Sequence, residues 1–220
     1  DYCENFLINL GMKKENIRLR DHSAEELVFY SKATTDIEYK YPHGWGELWG
    51  IADRTDYDLT VHSNHSKNEL KYLDPETNEK YTPYVIEPSV GCDRLTLAVL
   101  CDAYNEETLE DGSTREVMKL SPALAPYKVA VLPLVKKFHK EKAEEIYRML
   151  SKHFMCTYDE TGNIGKRYRR EDAIGTPFCI TIDDETINNG VVTVRDRDTM
   201  AQITLNVDEI VDYINNEIEF

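Results

Sequence analysis

The sequence lacks what a membrane segment needs. No apolar run approaches the roughly 18 residues of a spanning helix. Nor is there a secretory signal at the start: Asp1-Tyr2-Cys3-Glu4 is neither basic nor followed by a long apolar stretch. A soluble, intracellular protein is predicted. Cysteine pairing is also missing. Cys3, Cys92, Cys101, Cys156 and Cys179 are odd in number and widely spaced, with no CxxC pair. That excludes a zinc knuckle and a redox pair, and predicts mostly buried thiols in a reducing compartment. The six histidines, His22, His43, His62, His65, His139 and His153, show no metal-ligand spacing with cysteine. Basic residues are scarce as well. There are 26 Lys and Arg against 41 Asp and Glu, a formal net charge of -15. A surface cationic throughout, of the kind that grips phosphates, is thereby excluded. The deficit is uneven. Residues 1–120 hold 13 basic and 24 acidic side chains, net -11, while residues 121–220 hold 13 and 17, net -4. Any polyanion-facing surface is therefore local and belongs to the second half.

What is present suits a folded chain of one to two domains. Of the 220 residues, 41% are hydrophobic, enough for a core. Helix 2–10 ends at Gly11, a left-handed cap. The chain is thus expected to open inside an element, as part of something longer. A strand is predicted at 17–20, and the capping-box pattern from Ser23 to Glu26 predicts a short helix to Tyr30. Strands 36–41 and 45–52 flank Pro42-His43-Gly44. A helix over 56–65 follows, then a hairpin or loop over 70–82. Strand 83–87 breaks at Pro88-Ser89-Val90-Gly91 into a helix from Asp93. Residues 105–120 read as a loop leading to a boundary near 121. Beyond it the order is β-α-β-α-β-β-β-α. Strands are expected at 129–134, 154–158, 178–182, 191–194 and 201–205. Helices are expected at 136–153, 164–173 and 207–218. The fold class is α/β: an α+β part with an antiparallel sheet, then a small α/β domain with a mixed five-stranded sheet and three helices.

Three constellations could carry chemistry. In the run Glu87 to Arg94 a strand hands over to a helix through a small-residue turn. Gly91 admits a close ligand, and Arg94 in the first helical turn suits a phosphate or a purine face. Helix N-terminal amides add anion affinity. Glu87 and Ser89, two apart on a strand, share a face and could hold an ammonium group. The plainer alternative is a strand–turn–helix with a surface arginine. The second run, Gly44 to Arg54, has three glycines in seven residues, which weakens a strand unless something must approach closely. Glu47 there is a candidate for Mg²⁺ or a nucleotide, or else a solvated carboxylate. The third is Lys166-Arg167-Tyr168-Arg169-Arg170. Four cations around an aromatic suit single-stranded RNA, or make a solvated helix face balanced by Glu171 and Asp172. Arg195 and Arg197 could extend the patch.

The runs "YPHGWGELWGIADRTDYDLTVHS" and "YVIEPSVGCDRLTLAVLCDAY", with the stretch 17–39 before them, resemble the closing strands and motif 3 of glycyl-tRNA synthetases. The segments "KVAVLPL", "GKRYRREDAIGTPFCITID" and "GVVTVRDRDT" resemble the anticodon-binding domain of class II synthetases. The resemblance covers nearly the whole chain. It implies the rear part of a catalytic domain over 1–120 and an anticodon-binding domain over 121–220. It implies that Arg94 contacts ATP, with Gly91, Cys92 and Asp93 beside it. Glu47 and Leu48 would contact ATP too, Glu47 helping to hold Mg²⁺. Glu87, Pro88, Ser89, Val90 and Gly91 would line the glycine pocket. Lys166, Arg167, Tyr168, Arg169, Arg170, Arg195 and Arg197 would face tRNA. The implied activity is glycine–tRNA ligation: ATP-dependent formation of glycyl-adenylate, then transfer to tRNA(Gly), in a cytoplasmic homodimer with no membrane association. Motifs 1 and 2 of the class lie outside the sequence, so the chain alone is expected to be inactive. Two rivals stand beside this reading: a non-catalytic, synthetase-like RNA-binding protein, and a threonine, proline or histidine synthetase sharing the anticodon domain.

Overall fold

The computed structural model describes residues 1–219. They form two compact units, one comprising Asp1–Ile8 and Met12–Cys101, the other Asn9–Gly11 and the chain from Asp102 onward. The sequence placed a junction near 121. The units part at Cys101 and Asp102 because 104–118, expected as a loop, is a hairpin belonging to the second unit.

The first unit contains helix α1 (Tyr2–Asn9) and strands β1 (Ile17–Asp21), β2 (Ala33–Tyr41) and β3 (Gly44–Asp53). Helix α2 (Tyr57–Ser66), the short strands β4 (Tyr72–Leu73) and β5 (Lys80–Tyr81), strand β6 (Ile86–Val90) and helix α3 (Cys92–Ala103), whose last two residues fall in the second unit, follow. The antiparallel sheet has the order β1-β2-β3-β6. The β2–β3 turn closes on Gly44, whose φ of 118° only glycine adopts readily. Ile37, Tyr39, Tyr41, Leu48 and Trp49 are buried. Residues 23–30 are a run of turns, not the predicted helix. The capping bond forms, with Ser23 N donating to Glu26 Oε2 at 2.9 Å, but Val28 and Phe29 stay exposed, so no apolar face rewards a helix. The predicted strand break at 88–91 is also displaced. β6 runs through Pro88 to Val90, opposite Ile51 and Trp49. Proline is compatible with a strand paired on one side only.

The second unit opens with the hairpin β7 (Tyr104–Thr108) and β8 (Thr114–Met118). Then come β9 (Val129–Pro133), α4 (Lys136–Leu150), β10 (Cys156–Tyr158), α5 (Ile164–Ile174), β11 (Phe178–Ile182), α6 (Asp184–Asn189), β12 (Val191–Asp196), β13 (Gln202–Asn206) and α7 (Ile210–Glu217). The five-stranded sheet has the order β10-β9-β11-β12-β13. β9 pairs parallel with β10 and β11; the remaining pairs are antiparallel. β9 and β11 are buried at every residue, which is why both read as unbroken apolar runs. Val129, Val131, Phe178, Ile180 and Ile182 join Ile146, Leu150, Val192, Val194, Ile210 and Ile214 in one core, while Ala130, Leu132 and Cys179 form a second cluster against Ile164 and Tyr168. α6 makes a fourth helix where three were expected. Its signals are local: Asp183 and Thr186 form a capping box, and Gly190 closes the helix at a φ of 69°. All five cysteines are free, but only Cys156 and Cys179 are buried, fewer than expected.

Candidate functional site

In the first unit the site begins with an irregularity. The β2–β3 ladder slips between Ile37 and Glu38, so Glu38 faces Glu47 and Leu48 is the extra residue. Consecutive Leu48 and Trp49 are both buried as a result. The bulge re-aims the preceding side chain. Glu47 Oε1 lies 3.5 Å, and Asp36 Oδ1 3.7 Å, from where a Cβ on Gly50 would stand. Gly50 faces Asp36 on one side and Ser89 on the other. Two carboxylates and a hydroxyl-bearing residue thus converge over a position with no side chain. Asp36 is engaged with His22 Nε2 at 2.7 Å.

Arg94 stands in the first turn of α3, and its Nη1 donates to the Glu47 carbonyl at 2.8 Å. The start of α3 is thereby tied to the bulge. Glu87, opposite Ala52, has a different partner: Arg54 Nη1 donates to Glu87 Oε2 at 2.8 Å. Arg54 also reaches Asp58 from Nε at 2.6 Å and from Nη2 at 3.0 Å, and its guanidinium lies 4.4 Å from the centre of the Tyr30 ring. These hydrogen bonds raise the Arg54 pKa above its ordinary value and lower that of Asp58. Sequence reasoning passed over Arg54, although its place just after β3 and four residues before Asp58 is the spacing of a helical ion pair. Glu47 and all of Glu87, Pro88, Ser89, Val90, Gly91, Cys92, Asp93 and Arg94 are exposed. Leu48 is 2% exposed, so only its backbone is open to a nucleotide; its side chain belongs to the core.

In the second unit the basic run on α5 divides by helical face. Lys166 and Arg170 are exposed and Arg169 is half-buried. Arg167 is 3% exposed and donates to the Pro133 and Gly162 carbonyls. The neighbouring strand end behaves likewise. Arg195 donates to both oxygens of the fully buried Asp172, at 2.7 and 3.0 Å, and lies 4.8 Å over the Tyr168 ring. Arg197 donates to the Gly175 and Leu120 carbonyls at 2.9 and 2.8 Å, and Arg115 Nη1 adds a bond to Asp172 at 3.2 Å. The Tyr168 and Thr181 hydroxyls share a hydrogen bond at 2.6 Å, and burial raises the Tyr168 pKa. Arg167, Arg195 and Arg197, expected to face RNA, are therefore internal staples. A guanidinium inside a protein must be paired, and these have their partners within the chain. The outward cations of α5 are Lys166, Arg169 and Arg170.

The family model "Anticodon binding domain" matches residues 128–217. Glycine–tRNA ligase of Clostridium tetani is 64% identical over 220 residues, all of this chain and 47% of that protein. Glycine–tRNA ligase of Geobacillus thermodenitrificans is 63% identical over 219 residues, again 47% of its length. The chain spans about half the length of the curated relatives it matches. Among solved structures, prolyl-tRNA synthetase from Cryptosporidium parvum, complexed with L-proline and AMP, superposes with a TM-score of 0.64 at 15% identity. That match covers 99% of this chain and 44% of that one. The likeness is one of fold alone. At this level of identity along its whole length, and with residues 128–217 matched by the anticodon-binding model, the chain is homologous to about half of a glycine–tRNA ligase.

Proposed function

We propose that the chain supplies the rear of the adenylate-forming site and the tRNA-reading domain of a glycine–tRNA ligase. The observation that carries this reading is the Arg94–Glu47 tie, which holds a permanent cation at the head of a helix beside a glycine-floored pair of carboxylates. In the proposed step a glycine carboxylate oxygen attacks the α-phosphorus of ATP, and the bond to pyrophosphate breaks. A terminal ribose hydroxyl of tRNA(Gly) then attacks the acyl carbon and AMP leaves. Neither step needs a protein nucleophile; both need positioning and charge stabilisation. Arg94 is assigned to the nucleotide. Glu87 and Ser89 are assigned to the ammonium group, with Arg54 fixing the rotamer of Glu87. Glycine offers no side chain to grip, so selection rests on a pocket too small for any larger residue.

Among the described residues no group of three or more His, Cys, Asp or Glu could hold a metal ion. Glu47 fits only as one carboxylate of an Mg²⁺ whose other ligands are ATP phosphates and water. Bound there, the ion would neutralise phosphate charge. Among the described residues no helix is long and apolar enough to cross a membrane. Resemblance to the family supports a cytoplasmic homodimer for the whole protein, with the anticodon presented to 128–217.

The test is glycine-dependent ATP–pyrophosphate exchange by the full-length enzyme. Arg94→Ala is expected to lower exchange by about 100-fold or more while the protein stays folded, since such donors act on charge developing in the transition state. Exchange within a factor of two of the unmodified enzyme would remove Arg94 from the mechanism. A non-catalytic RNA-binding role is the rival, and glycine protection in a thermal shift separates the two.

A further inference from the structure

Helix α4 carries five basic and three acidic side chains, net +2 in a chain of net -15. Both α4 and α5 begin where parallel strands end, after β9 and β10 respectively. In open α/β sheets ligands bind at that end, where the crossovers diverge to either side of a central strand. The loop between β10 and α5 places two carboxylates there. Glu160 receives Lys136 Nζ at 2.6 Å, Lys140 Nζ at 3.6 Å and the Tyr158 hydroxyl at 3.1 Å. Asp159 receives Arg170 through Nε at 2.8 Å and through Nη2, while Arg170 Nη2 also holds the Thr161 carbonyl. The carboxylates are tucked in, with side chains 17% and 21% exposed. The cations are not: Lys136, Lys140 and Arg170 are 59%, 45% and 47% exposed. Each acid therefore sits under donors that still face solvent. Two ammoniums and a phenol meeting one oxyanion, and a guanidinium fork meeting another, are the donor sets a phosphodiester takes.

We infer that Asp159 and Glu160 stand in for RNA phosphates on a cationic rim formed by Lys136, Lys140 and Arg170, and that bound RNA displaces them from it. The loop thereby weakens capture of polyanions that cannot also satisfy the rest of the domain. This deepens the RNA-binding assignment of the second unit and rests on it. The cations of each pair face solvent, which screens them, so displacing the acids costs little.

The experiment measures Kd for tRNA(Gly) and for polyuridylate across a salt series, using the 220-residue chain and three variants: Glu160→Gln, Asp159→Asn and Glu145→Gln. Glu160 makes no backbone bond in this loop, so its replacement spares the fold; melting curves check the others. Glu145 pairs with Lys142 elsewhere on α4 and controls for net charge. Glu160→Gln and Asp159→Asn are each expected to tighten polyuridylate binding about three-fold, the scale of one exposed ion pair. Their salt dependence should steepen by about one phosphate contact. Tightening of tRNA(Gly) should be smaller, and Glu145→Gln should leave both unchanged. Binding by all four proteins with no gain in either loop variant, or an equal gain in Glu145→Gln, overturns the inference alone. No detectable tRNA binding by any folded protein overturns the RNA assignment, and the inference with it.

Discussion

Glu171 and Asp172 are neighbours on α5, both buried, and burial acts on them through different partners. Asp172 is surrounded by guanidiniums from Arg195 and Arg115. Removing it leaves Arg195 buried without its counter-charge and takes one of two carboxylates from the buried Arg115, which keeps Glu107. Asp172→Ala is therefore expected to destabilise the chain by about 3–5 kcal/mol, read as a loss in thermal midpoint. Glu171 has no such cation pair; its carboxylate accepts from the Thr176 hydroxyl at 2.7 Å, and desolvation raises its pKa above the ordinary glutamate value. A raised carboxyl pKa in the folded state means stability is fully present below the unfolded pKa and is lost as pH rises through the folded one. Glu171→Gln abolishes that loss. Its midpoint should gain on that of the unmodified chain as pH rises from about 4 upward; a constant offset from pH 4 to 8 would refute it. The composition of residues 166–172 was legible as basic and aromatic, but not which charges faced inward. Arg167, Glu171 and Asp172 fall on one side of the helix by their spacing, yet charge on a buried face is rare enough that the ordinary reading points it outward.

At the scale of elements, β3 shows how a single inserted residue builds a site. Without the slip beside Ile37, strict alternation would not give buried neighbours at Leu48 and Trp49, nor bring Glu47 over Gly50. A Cβ at Gly50 would make ordinary contacts with the Glu47 and Asp36 carboxylates, but a branched side chain would push into them. Gly50→Val should thus lower exchange by the full-length enzyme by about 100-fold, the scale of a misplaced reacting group. Its thermal midpoint should change little, because valine suits a strand. Unchanged exchange would mean that Glu47 needs no clear floor. The sequence declared β3 in spite of its glycines, and declared β9 and β11 through their apolar runs. It did not declare the β7–β8 hairpin, whose strands are charged and whose ladder is set by backbone pairing. Nor did it reveal the bulge, because register depends on the partner strand.

On the scale of the whole molecule, a chain of net -15 can meet RNA only through restricted surfaces. With Lys166, Arg169 and Arg170 as the outward cations of α5, about three phosphates are neutralised there. The logarithm of affinity for a single-stranded anticodon-loop RNA should then fall against the logarithm of salt with a slope of about -2 from α5 alone, and more steeply where the α4 lysines join. A slope of zero would deny phosphate contact altogether. The two-part division was legible from the composition shift and the change of pattern, but its position was not, since the charged hairpin reads as linker.

The way α5 is fastened has one more consequence. Greasy contacts let a helix roll or slip by fractions of a turn with little penalty, whereas forked donors on carboxylates and carbonyls tolerate almost no rotation. Held by Arg167, Asp172 and Tyr168, α5 behaves as a template set at fixed spacing rather than as a pliant brush. An incoming strand finds its first contacts already in place, and little ordering entropy is lost when it docks.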